Sequence, residues 1–109
     1  MKLIVSVVNR DDVYTLSDEL VRAGHTATII STTGGFLREG NATLLIGVKD
    51  SLVQQVLEII RETCHERTVL VNTVPPLIEY EEALAYAPIE VEVGGAVVFI
   101  LNVERFVKF

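Results

Sequence analysis

His25-Thr26-Ala27-Thr28-Ile29-Ile30-Ser31-Thr32-Thr33-Gly34-Gly35-Phe36-Leu37-Arg38-Glu39-Gly40-Asn41-Ala42-Thr43-Leu44-Leu45-Ile46-Gly47-Val48 is the stretch on which the fold turns. His25–Thr33 is rich in Thr and Ile and predicts a strand, because branched side chains suit a pleated, half-buried surface. Asn41–Val48 predicts a second strand, antiparallel to the first. Between them, Thr32–Asn41 gather three glycines, two hydroxyls, an amide, a guanidinium and one aromatic into a single connection. Glycine admits positive φ and close approach of backbone to a ligand. Successive N–H groups in such a turn can cradle an anion, and an aromatic beside them offers a face to a heterocycle. The combination suits a nucleotide as well as a plain glycine-rich turn. It is not a Walker A loop, since Asn41 rather than Lys follows Gly40. It also lacks the G-x-G-x-x-G spacing of a dinucleotide-binding turn.

Outward from this hairpin, Lys2–Val8 is a β-branched run of strand length. Asn9, Asp11 and Asp12 offer N-caps to a helix reaching about Ala23. Val13, Leu16 and Leu20 form its buried stripe, Val21 is a candidate fourth member, and Gly24 suits the left-handed position that ends it. After the hairpin, Asp50 and Ser51 open a second helix, with Ser51 and Gln54 at capping-box spacing. Val53, Val56, Leu57, Ile60 and Cys64 keep one helical face apolar, and Leu52 and Ile59 widen it. Residues 66–88, with Pro75-Pro76, Glu79, Glu81, Glu82 and Pro88, predict a long loop that carries at most a short strand at Val69–Val74. Ile89–Val93 alternates with Glu90 and Glu92, one dry face against one wet one. Gly94-Gly95 permits a turn or bulge, and Ala96–Val103 follows as a last strand. The order is β-α-β-β-α-β with an added C-terminal strand, an α+β ferredoxin-like sandwich in one domain spanning 1–109.

Composition narrows the function. Half of the 109 residues are hydrophobic, yet no apolar run approaches the ~18 residues of a membrane span and none reads as a signal peptide. The surplus apolar surface predicts an oligomer. A net charge of −6 argues against a nucleic-acid polymer, whose phosphates call for clustered Lys and Arg. The single Cys64 fits a reducing cytoplasm and reads as a small core residue. His25 and His65 have no Cys or carboxylate at metal-ligand spacing, so no metal is expected. No nucleophile–base pair is readable, and the chain is expected not to be an enzyme.

Three blocks make the sequence recognisable: Met1-Lys2-Leu3-Ile4-Val5, Ala27-Thr28 with Thr32 to Asn41, and Val91-Glu92-Val93-Gly94-Gly95-Ala96. Together they resemble the bacterial cyclic-di-AMP receptor family, small PII-like signalling proteins, and the likeness runs from end to end. The resemblance implies a homotrimer of ferredoxin-like subunits with the dinucleotide held at subunit interfaces. It also implies ligand contacts at Thr28, Phe36, Leu37, Asn41, Gly47 and Phe99, with help from the C-terminal tail. Thr26 stands where the family usually has Arg, Lys108 where an amide is usual, and Gly24 where Asn is common. The expected binding set is therefore Thr26, Ala27, Thr28, Gly35, Phe36, Leu37, Arg38, Asn41, Gly47, Phe99 and Lys108.

The chemistry of these residues fits that ligand. Phe36, Leu37 and Phe99 can face a purine, and stacking a base on an aromatic contributes about 1–3 kcal/mol. The Asn41 amide can meet the adenine edge. Loop N–H groups, the Thr28 hydroxyl, Arg38 and Lys108 can hold phosphate. Read from composition alone, Phe36 and Phe99 are better placed as core residues, and Asn41 serves equally as a hairpin cap. Phe106 and Phe109 read either as interface packing or as a tail closing over the ligand. The leading expectation is a cytoplasmic trimeric sensor of cyclic di-AMP with loop 66–88 as its output toward an unidentified protein. The alternatives are a PII-like trimer for ATP, ADP or another small anion, a small interface-cleft enzyme, and a purely structural oligomer.

Overall fold

The computed structural model describes residues 1–30, 40–71 and 87–109. Its elements are β1 (Lys2–Asn9), α1 (Arg10–Arg22), β2 (Ala27–Ile30), β3 (Asn41–Val48), a 3₁₀ turn at Asp50–Leu52, α2 (Val53–Cys64), β4 (Arg67–Val71), β5 (Ile89–Val93) and β6 (Ala96–Asn102). Four strands form an antiparallel sheet in the order β2-β3-β1-β6, and β4 and β5 form a separate two-stranded ribbon. Insertion of β3 between β1 and β2 is compatible with the split β-α-β arrangement of a ferredoxin-like sandwich.

The predicted β2–β3 hairpin is present, pairing Ala27 with Ile46 and Ile30 with Thr43. One topological expectation is corrected. Ile89–Val93 does not enter the main sheet; β6 takes the edge beside β1, while β5 pairs with β4. The extra strands are thus an inserted ribbon between α2 and β6, not a C-terminal addition. Residues 67–71 of the predicted loop belong to this ribbon, with β4 beginning two residues before the expected Val69. The Pro75-Pro76 pair and Glu79, Glu81 and Glu82 lie outside the described residues.

Alternation along the strands assigns the two sheet faces. Ile4 and Val8 of β1, Ala42, Leu44, Ile46 and Val48 of β3, and Val98 of β6 turn toward the helices. Val13, Leu16 and Leu20 of α1 and Val56, Ile60 and Cys64 of α2 close over them. Val21 stays outside this core at 61% exposure, and Leu52 is partly exposed at 37%. Asn9 caps α1, its side chain accepting the Asp11 N–H at 2.9 Å. The expected Ser51–Gln54 capping box does not form. The 3₁₀ turn delivers Leu52 to the N-cap of α2 without any side-chain cap, so the turn itself sets the entry of the chain. Ser6 is fully buried on the core face, and its hydroxyl has no partner among the described residues.

Candidate functional site on the open sheet face

Register places the residues of the other face in rows. Thr28 pairs with Leu45, Leu45 with Val5, and Val5 with Phe99. These four side chains therefore line up across the whole sheet on the side without helices. Val7 and Val97 flank this row on one side, Leu3 and Leu101 on the other. Phe99 and Leu101 are each 47% exposed and Val97 56%. The two readings of Phe99 are thereby separated: it sits on an uncovered apolar face, not in the core. An apolar face this wide on a small chain marks an interaction surface.

At one end of that face lies an open cleft of about 370 Å³ lined by Met1, Leu3, Thr26, Thr28, Leu45, Gly47, Val103 and Phe106. The C-terminal tail reaches it because the Val103 N–H donates to the Met1 carbonyl at 3.2 Å. Gly47 leaves its floor low; a Cβ there would stand 3.3 Å from the Met1 Cε. Two hydroxyls, from Thr26 and Thr28, are the side-chain hydrogen-bonding groups among the lining residues, and none of those residues has a charged side chain. Such a lining suits a base and a ribose better than a phosphate. Near the cleft the Met1 amino group meets Asp50 at 2.9 Å, and that hydrogen bond holds the Asp50 carboxyl below its usual range. His25 Nε2 lies 2.7 Å from the Gln55 Oε1, and His65 Nδ1 lies 3.2 Å from the Glu62 carbonyl. Both rings serve the fold, and the described residues hold no cluster able to bind a metal.

The expected binding set divides accordingly. Thr26, Thr28 and Gly47 meet at the cleft. Ala27 turns inward and packs against the core, so any contact from it must come through its backbone. Phe99 shares the Thr28 row but is three strands away, roughly 14 Å at the usual strand spacing. Asn41 pairs with Asn9 at the far end of β3 from Gly47, roughly 20 Å along the strand. Lys108 is exposed beyond the cleft. Gly35, Phe36, Leu37 and Arg38 lie outside the described residues. Met1, Leu3, Leu45, Val103 and Phe106 were not in the expected set. The alternation of Lys2–Val8 already puts Leu3 opposite Ile4, but bringing the tail's Phe106 to the cleft takes the long-range Val103–Met1 contact.

The first turn of α1 touches both neighbouring loops. The Arg10 N–H donates to the Gly40 carbonyl at 2.6 Å, where the glycine-rich connection ends with Gly40 at φ +94°. Two residues on, buried Asp12 accepts from Arg67 at the base of the ribbon, Oδ1 to Nη2 at 2.8 Å and Oδ2 to Nη1 at 3.4 Å. Asp12 in turn raises the Arg67 pKa through that hydrogen bond. Cys64 is buried beside them, and desolvation foremost, with the Asp12 charge second, pushes its thiol up to about 11. A thiol so protonated is inert as a nucleophile or ligand.

A family model for the cyclic-di-AMP receptor matches residues 1–109. Among solved structures, a functionally unknown protein from Pediococcus pentosaceus ATCC 25745 is similar at 39% identity and a TM-score of 0.77, over 99% of this chain and 96% of that one. Among the described residues no helix is long and apolar enough to cross a membrane.

Proposed function

The chain belongs to the cyclic-di-AMP receptor family over its whole length, and from that premise we propose that it binds cyclic di-AMP between protomers of a trimer and relays occupancy to the β4–β5 ribbon. The observation that carries this reading is the spread of the expected contacts over one uncovered apolar face. Thr28 and Phe99 are roughly 14 Å apart, and Gly47 and Asn41 roughly 20 Å. One adenine cannot touch all four within a single chain. A ligand with two bases, lying where two such faces meet, can take the cleft of one protomer and Phe99 or Asn41 of the next.

In this reading an adenine enters the cleft, which is free of charged side chains, with Leu3, Leu45 and Phe106 against its faces and Thr26 and Thr28 at its polar edge. The phosphates fall to backbone N–H groups of the glycine-rich loop, to Arg38 and to Lys108. Thr26 in place of the family's usual Arg shifts that load onto Arg38 and Lys108. Relay is supported by the first turn of α1, which holds Gly40 through Arg10 and the ribbon base through Asp12. A ligand that moves the loop loads the same turn that anchors the ribbon.

Calorimetry with cyclic di-AMP, cyclic di-GMP, ATP, ADP and AMP, run beside sedimentation, tests the proposal. Cyclic di-AMP is expected to bind a species of three times the 12.0 kDa chain. At a hundred times its dissociation constant it should stabilise each site by about 2.7 kcal/mol. Gly47→Val should abolish binding and leave the trimer, whereas Phe99→Asp should lose both. Asp12→Asn should keep binding while amide exchange in the ribbon stops responding to nucleotide. Binding by a monomer overturns the interface reading, and heat from ATP or ADP alone favours a mononucleotide sensor.

A further inference from the structure

The ribbon has two unlike faces. Val69 pairs with Val91 and Val71 with Ile89, and Arg67 pairs with Val93 at the base on the same side. Since Arg67 reaches Asp12, this apolar side leans toward α1 at its root. The opposite side carries Glu90 and Glu92 with Thr68 and Leu70 across from them. Glu66 joins the acids there; its hydrogen bond to Glu92 and the Glu92 charge raise its pKa, a sign of crowded negative charge. Arg67, the one cation in the described ribbon strands, is turned away and taken by Asp12.

Among the described residues each of the two strands is paired along one side only and leaves its other edge unpaired. An isolated two-stranded ribbon is marginal in water and gains from a third strand. The edges differ in what they accept. A strand added beside β5 sets its side chains against Ile89, Val91 and Val93 on one face and Glu90 and Glu92 on the other, at cross-strand contact distance. A second copy of β5 in antiparallel register about Val91 would bring Glu90 against Glu92, a like-charge juxtaposition that disfavours self-pairing.

We propose that the β5 edge of the ribbon is a docking site for an extended segment of a partner protein whose residues alternate apolar and basic, added as a third strand. The main-chain hydrogen bonds supply attachment and the alternation supplies selectivity, as in other strand additions. The proposal rests on the reading above only in taking the ribbon as the output element; the docking chemistry follows from the ribbon's own residues.

The test uses the full chain and three synthetic peptides: alternating valine and lysine, the same composition scrambled, and alternating valine and glutamate. Fluorescence anisotropy reads binding, and hydrogen exchange reads the amides of residues 89–93. The alternating valine–lysine peptide is expected to bind and to slow exchange there, with the scrambled peptide about tenfold weaker. The double charge reversal Glu90→Lys with Glu92→Lys should transfer preference to the valine–glutamate peptide. Should that variant unfold, Glu90→Gln with Glu92→Gln should simply lose the preference. Equal binding of alternating and scrambled peptides, protection elsewhere than 89–93, a preference that survives charge removal, or no binding each overturns the proposal. Cyclic di-AMP binding is measured in the same samples, so failure of the peptide and failure of the nucleotide reading are seen separately.

Discussion

β1 and β5 are written in the same alphabet and meet opposite fates. β1 alternates in burial and β5 in sequence, both are rich in Val and Ile, and both lie in antiparallel pairings. In β1 every second residue from Ile4 to Val8 is buried, because two helices close over that face and strands flank both edges. In β5 the apolar Ile89 is 54% exposed and Val91 38%, with one paired strand among the described residues. Cover, not strand propensity, separates a core strand from an exposed one. The sheet takes its stability from burial, whereas the ribbon is held at its root by one ion pair, two glycines of positive φ and the Gly95 N–H to the Cys64 carbonyl. Elements with few buried contacts are the ones that open at low free-energy cost.

The contrast is tested most severely by truncating one buried and one ribbon side chain. Leu44→Ala, at a fully buried position, should lower unfolding stability in urea by about 2–5 kcal/mol. Val69→Ala on the ribbon should change it by less than about 1 kcal/mol. Comparable losses would mean that the ribbon is part of the cooperative core.

The ribbon's root is probed by its two glycines. Gly94 has φ +88°, and a Cβ there would lie 2.6 Å from both the Arg67 Nη1 and the His65 carbonyl oxygen. The arginine tip can swing away but the backbone carbonyl cannot, so Gly94→Ala should cost about 1–3 kcal/mol in thermal unfolding. Gly95 has φ +86° with open space around its Cβ direction, and Gly95→Ala should show the backbone term alone, about 1 kcal/mol. Equal losses would remove the close packing of the ribbon against residue 65 from the account.

The smallest effect concerns Glu66. Glu92 beside it raises the Glu66 pKa, so the folded ribbon favours the protonated acid. That contribution is present below the ordinary glutamate value and disappears as pH rises through the raised one. Amides of residues 67–71 should therefore exchange faster near about pH 7 than near about pH 4 after correction for intrinsic rates, and Glu66→Gln should flatten the difference. A pH profile unchanged in that variant would show that the Glu66–Glu92 contact does not govern the ribbon.

Much of the molecule was legible before its fold was known, and for local reasons. The β2–β3 hairpin follows from Thr/Ile strands flanking a glycine-rich turn, and α1 follows from the Asn9 cap with apolar residues at Val13, Leu16 and Leu20. Thr28 and Gly47 were reached through resemblance to a family, and register then brought them together in one cleft. The partner of Ile89–Val93 was not legible, because Glu90 and Glu92 alternate equally well for a sheet edge or a ribbon, and pairing is chosen by which strand lies near. Phe106 was ambiguous for a similar cause, as its position depends on a hydrogen bond between chain ends.

The amino-acid order by itself determined where helices and strands form and which residues alternate or repeat on a face, since these depend on neighbours within a turn or a pleat. Tertiary structure alone decided which of those faces is covered, that Asp12 reaches Arg67 across 55 positions, and that Phe99 faces outward. Those outcomes hang on contacts between distant segments, whose energies exist only once the sheet has assembled.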